Sequence, residues 1–154
     1  MIDIEIEDPA WTAEIPDAKA LVRVAALAVL AQAGGGPSPL SVLLANDAVV
    51  LDLNVRFRSQ NVATNVLSFP AVPNPENHLG DIALAFETCR REALAQTKPL
   101  AHHLQHLTVH GVLHLLGHDH IGDDKADAME DLERSILAGL GVPDPYGDGD
   151  HDRR

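Results

Sequence analysis

The chain has 154 residues, 45% of them hydrophobic, which is the size of one ordinary domain with enough apolar side chains for a real core. Its formal net charge of −12 speaks against a broad nucleic-acid-binding surface. The acid is concentrated at the ends, however: residues 1–17 hold six acids and no Lys or Arg, residues 121–154 hold ten acids against four bases, and residues 18–120 balance at seven each, leaving room for a local basic cleft from Arg56, Arg58, Arg90, Arg91 or Lys98.

Ile2, Ile4 and Ile6 alternate with acids, the period of a strand with one buried face, and Pro9 closes it. No basic segment precedes an apolar run at the N-terminus, so no signal peptide is expected. Pro16 and Asp17 open an alanine-rich helix to about Gln32, stopped by Gly34-Gly35-Gly36-Pro37. The longest apolar stretch, residues 20–33, carries Arg23 and is too short and too interrupted for a membrane span. Residues 38–45 and 49–57 read as two strands joined at Asn46-Asp47, hence a hairpin, with residues 51–58 equally open to a short helix. Residues 59–64 are a polar loop, residues 66–69 a strand ended by Pro70, and residues 71–78 a surface loop. Residues 79–86 read as a buried strand and residues 87–96 as a helix. Cys89, alone in the chain, has no partner for an internal disulfide and is read as a packing residue, which fits a reducing cytoplasm. Pro99 opens a histidine-rich helix that ends at Leu116. Asp123 and Asp124 cap a last amphipathic helix to about Leu140, with Met129, Leu132, Ile136 and Leu140 inward, and the tail from about residue 143 is expected to fray. The sum is one α/β (α+β) domain over residues 1–154, a small mixed sheet of about four strands packed by about five helices.

The chemistry concentrates in His110-Gly111-Val112-Leu113-His114-Leu115-Leu116-Gly117-His118-Asp119-His120. Residues four apart on a helix lie on one face, so His110 and His114 can each aim a ring nitrogen at one point. Gly117 accepts the left-handed conformation that ends a helix, and the turn can return His120 as a third ligand. H-x3-H-x2-G-x2-H is the spacing of zincin-type metallopeptidases, where three histidines hold zinc and leave a coordination position open. Those enzymes carry a glutamate base directly after the first histidine; here that residue is Gly111. His118 rivals His120 for the third position, and Asp119 suits a residue that orients a histidine. At about 100° per residue, His103, His106, His110 and His114 share an arc of roughly 80°. His102, His103 and His106 are read as a solvated or cleft-lining face, not as ligands.

Further motifs occur in a fixed order: Leu53-Asn54 with Phe57-Arg58, then Thr64-Asn65-Val66-Leu67-Ser68-Phe69-Pro70, then Gly80-Asp81-Ile82, then the histidine motif, with Met129 and residues 130–133 in the last helix. Together they resemble the YbeY-type metal-dependent endoribonucleases of ribosomal RNA maturation. The resemblance implies a zincin-like metal helix in a small mixed sheet and one zinc ion per chain on His110, His114 and His120. It also implies a catalytic Arg58 beside the ligand His114, and RNA and the ribosome as partners, without a membrane. The implied work is single-strand-specific cleavage, notably at the 16S ribosomal RNA 3′ end, and ribosome quality control. Two positions depart from the family: Asn65 stands where aspartate is usual, and His118 where tyrosine is usual. With glycine at 111, deprotonation is left to Asp119, His118, the metal site itself or the RNA's own 2′-hydroxyl. A zincin-like peptide or amide hydrolase and a non-catalytic ribosome assembly factor with a structural zinc remain open as alternatives.

Overall fold

Alternation of isoleucine with acid produces β1 (Ile2–Ile6), with Ile2 and Ile4 buried, in a computed structural model that describes residues 1–118 and 122–146. A short helix the sequence pattern did not signal, α1 (Ala10–Glu14), follows Pro9 and buries Trp11, whose indole N–H donates to the Ala45 carbonyl at 2.8 Å. The alanine-rich segment forms α2 (Ala18–Ala33), its Ala18, Val22, Ala25, Ala26 and Val29 fully buried. The small side chains allow the helix backbone to approach its neighbours closely.

The expected hairpin is replaced by a strand and a helix, β2 (Leu40–Ala45) and α3 (Asp47–Arg58). Asn46, read as a turn residue, is the N-cap: its side-chain oxygen accepts from the Val49 N–H at 2.9 Å. Asp47 in the first turn also accepts from the Thr88 backbone N–H and hydroxyl at 2.9 and 2.8 Å. The chain continues through β3 (Val66–Pro70), β4 (Gly80–Ala85), α4 (Phe86–Ala95), α5 (Leu100–Leu115) and α6 (Asp123–Gly139). The described residues thus form four strands and six helices, one helix more than expected.

The sheet order is β1-β2-β4-β3, the first three strands parallel and β3 antiparallel at the edge. One face packs Ile4, Val42, Leu44, Ile82 and Leu84 against α2, α5 and α6; α3 covers part of the other face, its Val50 and Leu53 clustering with Leu67 of β3 and Ala83 of β4. Cys89 lies in the core, where burial, reinforced by Glu92, pushes its thiol pKa well above the ordinary range, as a packing residue requires. Within α6, Met129, Ile136 and Leu137 are buried and Leu132 and Leu140 partly so, but Glu133 is buried among them. Gly122 stands at the N-cap of α6 and no side-chain cap forms, so Asp123 and Asp124 contribute first-turn charge only. Of the tail expected to fray, residues 143–146 are described, with Asp144 paired to Arg134 at 3.1 Å after the Val142 N–H has met the Leu137 carbonyl at 2.9 Å; residues 147–154 lie outside the described residues. No helix among the described residues is long and apolar enough to cross a membrane.

Candidate metal centre and active-site cleft

Helix α5 is gripped along its length, with Leu104, Val109, Val112 and Leu113 fully buried. Its end is a Schellman turn. Gly117, at φ +98°, lets its own N–H reach the His114 carbonyl and the His118 N–H reach the Leu113 carbonyl, each at 3.0 Å. The histidines therefore project from a rigid element. Their rings form a continuous stripe, with centroids 6.1 Å apart from His103 to His106, 6.4 Å from His106 to His110 and 4.7 Å from His110 to His114.

At the C-terminal end of the stripe, the Nε2 atoms of His110 and His114 converge to 3.2 Å. Two imidazoles on one tetrahedral zinc, with Zn–N bonds of about 2.0–2.1 Å, stand about 3.3 Å apart, so the pair has the spacing of two ligands of a single ion. Glu133 supports it from α6: its Oε2 lies 2.7 Å from His110 Nδ1, and its Oε1 3.0 Å from His106 Nε2 and in hydrogen-bond contact with the Tyr146 hydroxyl. The contact to Nδ1 keeps the His110 proton there and turns Nε2 toward His114 as a lone pair, the arrangement that carboxylates impose on metal-binding histidines. Burial by itself pushes the Glu133 carboxyl up, but the hydrogen bonds from His106 and His110 outweigh it and hold the group well below the usual range. Burial lowers the His106 pKa from its ordinary value.

Of the two readings of the N-terminal end of the stripe, solvated or cleft-lining, the structure has the second: His102, His103 and His106 line a cleft of their own. His103 is buried and its Nε2 lies 2.8 Å from Glu92 Oε1, which also accepts from the Asn65 amide at 2.9 Å. His106 is nearly buried against Glu133. His102 is the half-exposed member. Burial raises the Glu92 pKa, and the hydrogen bonds from His103 and Asn65 bring it below the usual value. Asn65 therefore does more than fill the place of an aspartate, since its amide donates where a carboxylate would repel.

A cleft of about 800 Å³ opens over His110 and His114, walled by Asn54, Phe57, Arg58 and Ser68. Arg58 ends α3, and Ser59 beyond it takes a left-handed conformation at φ +55°. The guanidinium Nη1 donates to the Ser68 carbonyl at 3.3 Å, and the Ser68 hydroxyl donates to the Gly111 carbonyl at 3.1 Å, which ties the arginine wall to the histidine helix. Asn54, buried, donates to the Val62 carbonyl at 2.9 Å and pins the loop that rims the cleft. The other expected basic residues serve elsewhere: Arg56 pairs with Asp52, Arg90 with Glu14 and Arg91 with Asp47, while Lys98 lines a second cleft with His103, His106 and Tyr146. The basic character of the histidine cleft rests on Arg58.

Gly111, where peptidases carry their base, faces the sheet. A Cβ there would lie 3.1 Å from two carbons of Ile82 and 3.3 Å from the Ser68 hydroxyl oxygen, so a glutamate would collide with the sheet. His118 follows Gly117 in the Schellman turn, with its backbone N–H engaged there. His120 and Asp119 lie outside the described residues, and among the described residues no group of three His, Cys, Asp or Glu side chains is placed to hold a metal. Glu133 and Tyr146 were missed as site residues in the sequence pattern. The signal available for Glu133 was an acid at an inward position of an otherwise apolar helix face.

The family model described as endoribonuclease YbeY matches residues 5–141. The chain is 50% identical to the endoribonuclease YbeY of Paramagnetospirillum magneticum, covering 96% of each, and 49% identical to that of Azorhizobium caulinodans, covering 94% and 95%. A Thermotoga maritima protein solved in solution shares the fold at a TM-score of 0.57 and 21% identity, each chain covered in full. By the extent of the family match and the identity to these relatives, the chain belongs to the endoribonuclease YbeY family.

Proposed function

We propose that the chain is a metal-dependent, single-strand-specific endoribonuclease of ribosomal RNA, acting in the cytoplasm on the 3′ end of 16S RNA and in ribosome quality control. One zinc ion is held by His110, His114 and His120. Endoribonuclease activity comes with the family; the metal dependence rests on one observation, the convergence of His110 and His114 to 3.2 Å in the cleft that Arg58 lines, and the choice of RNA on the resemblance alone. When bound, a divalent ion there supplies Lewis acidity, able to bring the pKa of a water from 15.7 to about 7.

The chain's own groups do the rest. Glu133 holds the His110 ring in one tautomer. Arg58, anchored on Ser68, has a planar fork able to donate to two non-bridging phosphate oxygens as negative charge gathers on them. Phe57, 67% exposed at the cleft rim, offers a face on which an unstacked base can lie, and bases in a duplex cannot reach such a face. With a glycine at 111 packed on the sheet, peptide hydrolysis by the zincin scheme has no base, and chelator-sensitive cleavage of a peptide library is expected to be absent.

The test is cleavage of an end-labelled small-subunit ribosomal RNA 3′ fragment by the parent protein, chelator-treated protein and identically purified His114→Ala. Cleavage that needs both His114 and metal supports the reading. Equal cleavage by all three identifies a contaminant and removes it. A 2′,3′-cyclic phosphate at the product end would assign the attack to the RNA's own 2′-hydroxyl.

A further inference from the structure

Beyond residue 141, where the family match ends, the chain turns back along α6 and reaches the rear of the histidine pair. Three contacts fix it there. Val142 is buried, the Arg134 guanidinium pairs with Asp144, and the same guanidinium lies 5.2 Å from the centre of the Tyr146 ring. Within the segment the Tyr146 N–H donates to Asp144 Oδ1 at 2.8 Å, which orients the ring. The ring stands edge-on to His106 at 5.5 Å, and its hydroxyl donates to Glu133 Oε1.

Glu133 is fully buried, so its two oxygens depend on protein donors. Oε2 serves His110; Oε1 is shared by His106 and Tyr146. A carboxylate held by donors at both oxygens cannot rotate about its last bond, and His110 Nδ1 can find its partner in one orientation only. Helix α5 supplies His106 and His110, α6 supplies the carboxylate, and the returning segment supplies the donor that completes it.

We propose that residues 142–146 are a strap that sets the metal pair from behind, with Tyr146 as a positioning residue acting through Glu133 on His110. The proposal rests on the metal-centre part of the proposed function and not on the identity of the substrate. A tyrosine that only packed would need its ring; this one needs its hydroxyl. The strap also places the rigidity of the centre in a segment whose anchor, Arg134 with Asp144, lies outside the cleft.

Tyr146→Phe removes the hydroxyl and keeps the ring, and Asp144→Ala cuts the anchor. Each variant is titrated with zinc alone against a chromogenic chelator, and the His110 tautomer is read in the metal-free protein from long-range nitrogen–proton NMR correlations. Tyr146→Phe is expected to weaken zinc binding about 3- to 10-fold, below the 10–100-fold typical when a ligand's direct partner is lost. Part of the His110 population should move its proton from Nδ1 to Nε2. Asp144→Ala should shift both readouts the same way by less. A merely structural tyrosine would lower the melting temperature and leave affinity and tautomer at parent values, which would overturn the strap. A parent protein that binds no zinc would overturn the metal centre, and the tautomer in Tyr146→Phe would still decide the strap.

Discussion

The two ends of the α5 histidine stripe use one residue type at one helical spacing and do different things. At the N-terminal end, His103 meets Glu92 and His106 meets Glu133, and both rings are enclosed. At the C-terminal end, His110 and His114 bring their Nε2 atoms together under an open cleft. The difference lies in enclosure: burial and a carboxylate hold each of the first two, while His110, although it too meets Glu133, and His114 open onto the cleft that Arg58 lines. Glu133 stands at the boundary and serves a ring from each half. Periodicity on a helix therefore assigns residues to a face, while the role of each is decided by elements remote in sequence.

The largest expected effect separates the halves directly. His114→Ala should lower metal-dependent RNA cleavage on the order of 10³-fold or more and leave most of the fold, because the main core does not depend on the cleft. His103→Ala should do the converse. It leaves Glu92 without its histidine donor and costs about 1–3 kcal/mol of stability, with cleavage by the remaining folded protein retained. Parallel denaturation and cleavage assays read both variants. Collapse of His114→Ala with intact activity in its folded fraction would mean a structural ion and break the contrast.

The cleft half can be divided further. Arg58→Lys keeps the charge and loses the fork, so kcat should fall about 10- to 100-fold with zinc affinity unchanged. A lysine variant as fast as the parent removes the bidentate role. Phe57→Ala should raise KM for single-stranded RNA by about 5-fold, from the roughly 1 kcal/mol at the low end of base stacking, while Phe57→Tyr keeps the parent value. An equal loss in both would assign Phe57 to packing on Phe69, which it meets edge-on at 6.0 Å.

Much of this was legible in the sequence. The alternation in residues 2–6, the turn glycine at 117 and the histidine spacing are local signals, and they became the expected strand, the expected turn and a pair of converging ring nitrogens. The failures share a cause. Asn46-Asp47 has the hydrogen-bonding chemistry of a turn and of a helix cap alike, and the choice was made by Thr88, 41 residues from Asp47. The carboxylates that His103 and His106 meet lie 11 and 27 residues away, so a helix face could be read as solvated or cleft-lining but not as ion-paired. The contact of Asp144 was not legible because Arg134, which meets it, reads as an ordinary surface charge. His120, the third expected ligand, lies outside the described residues.

The smallest effect tests the buried half on its own terms. Asn65 donates to Glu92, and this chain differs there from the aspartate usual in the family it resembles. Asn65→Asp replaces a donor with a second carboxylate and should cost about 1 kcal/mol at pH 8, the value of one hydrogen bond. The pH dependence follows from the direction of the Glu92 shift. In the parent protein its carboxyl is held below the usual value, so its contribution is complete above about pH 4.5 and is lost as the pH falls further. In the variant, repulsion between the two carboxylates raises the pKa of the pair, and a proton taken up as the pH falls bridges them. The stability deficit should therefore be largest at pH 8 and shrink toward pH 5, as urea denaturation at pH 8, 6.5 and 5 would read. A deficit that is constant or grows in acid would show that the Asn65 amide does not hold Glu92, and would leave His103 as the only side chain fixing that carboxylate at the closed end of the stripe.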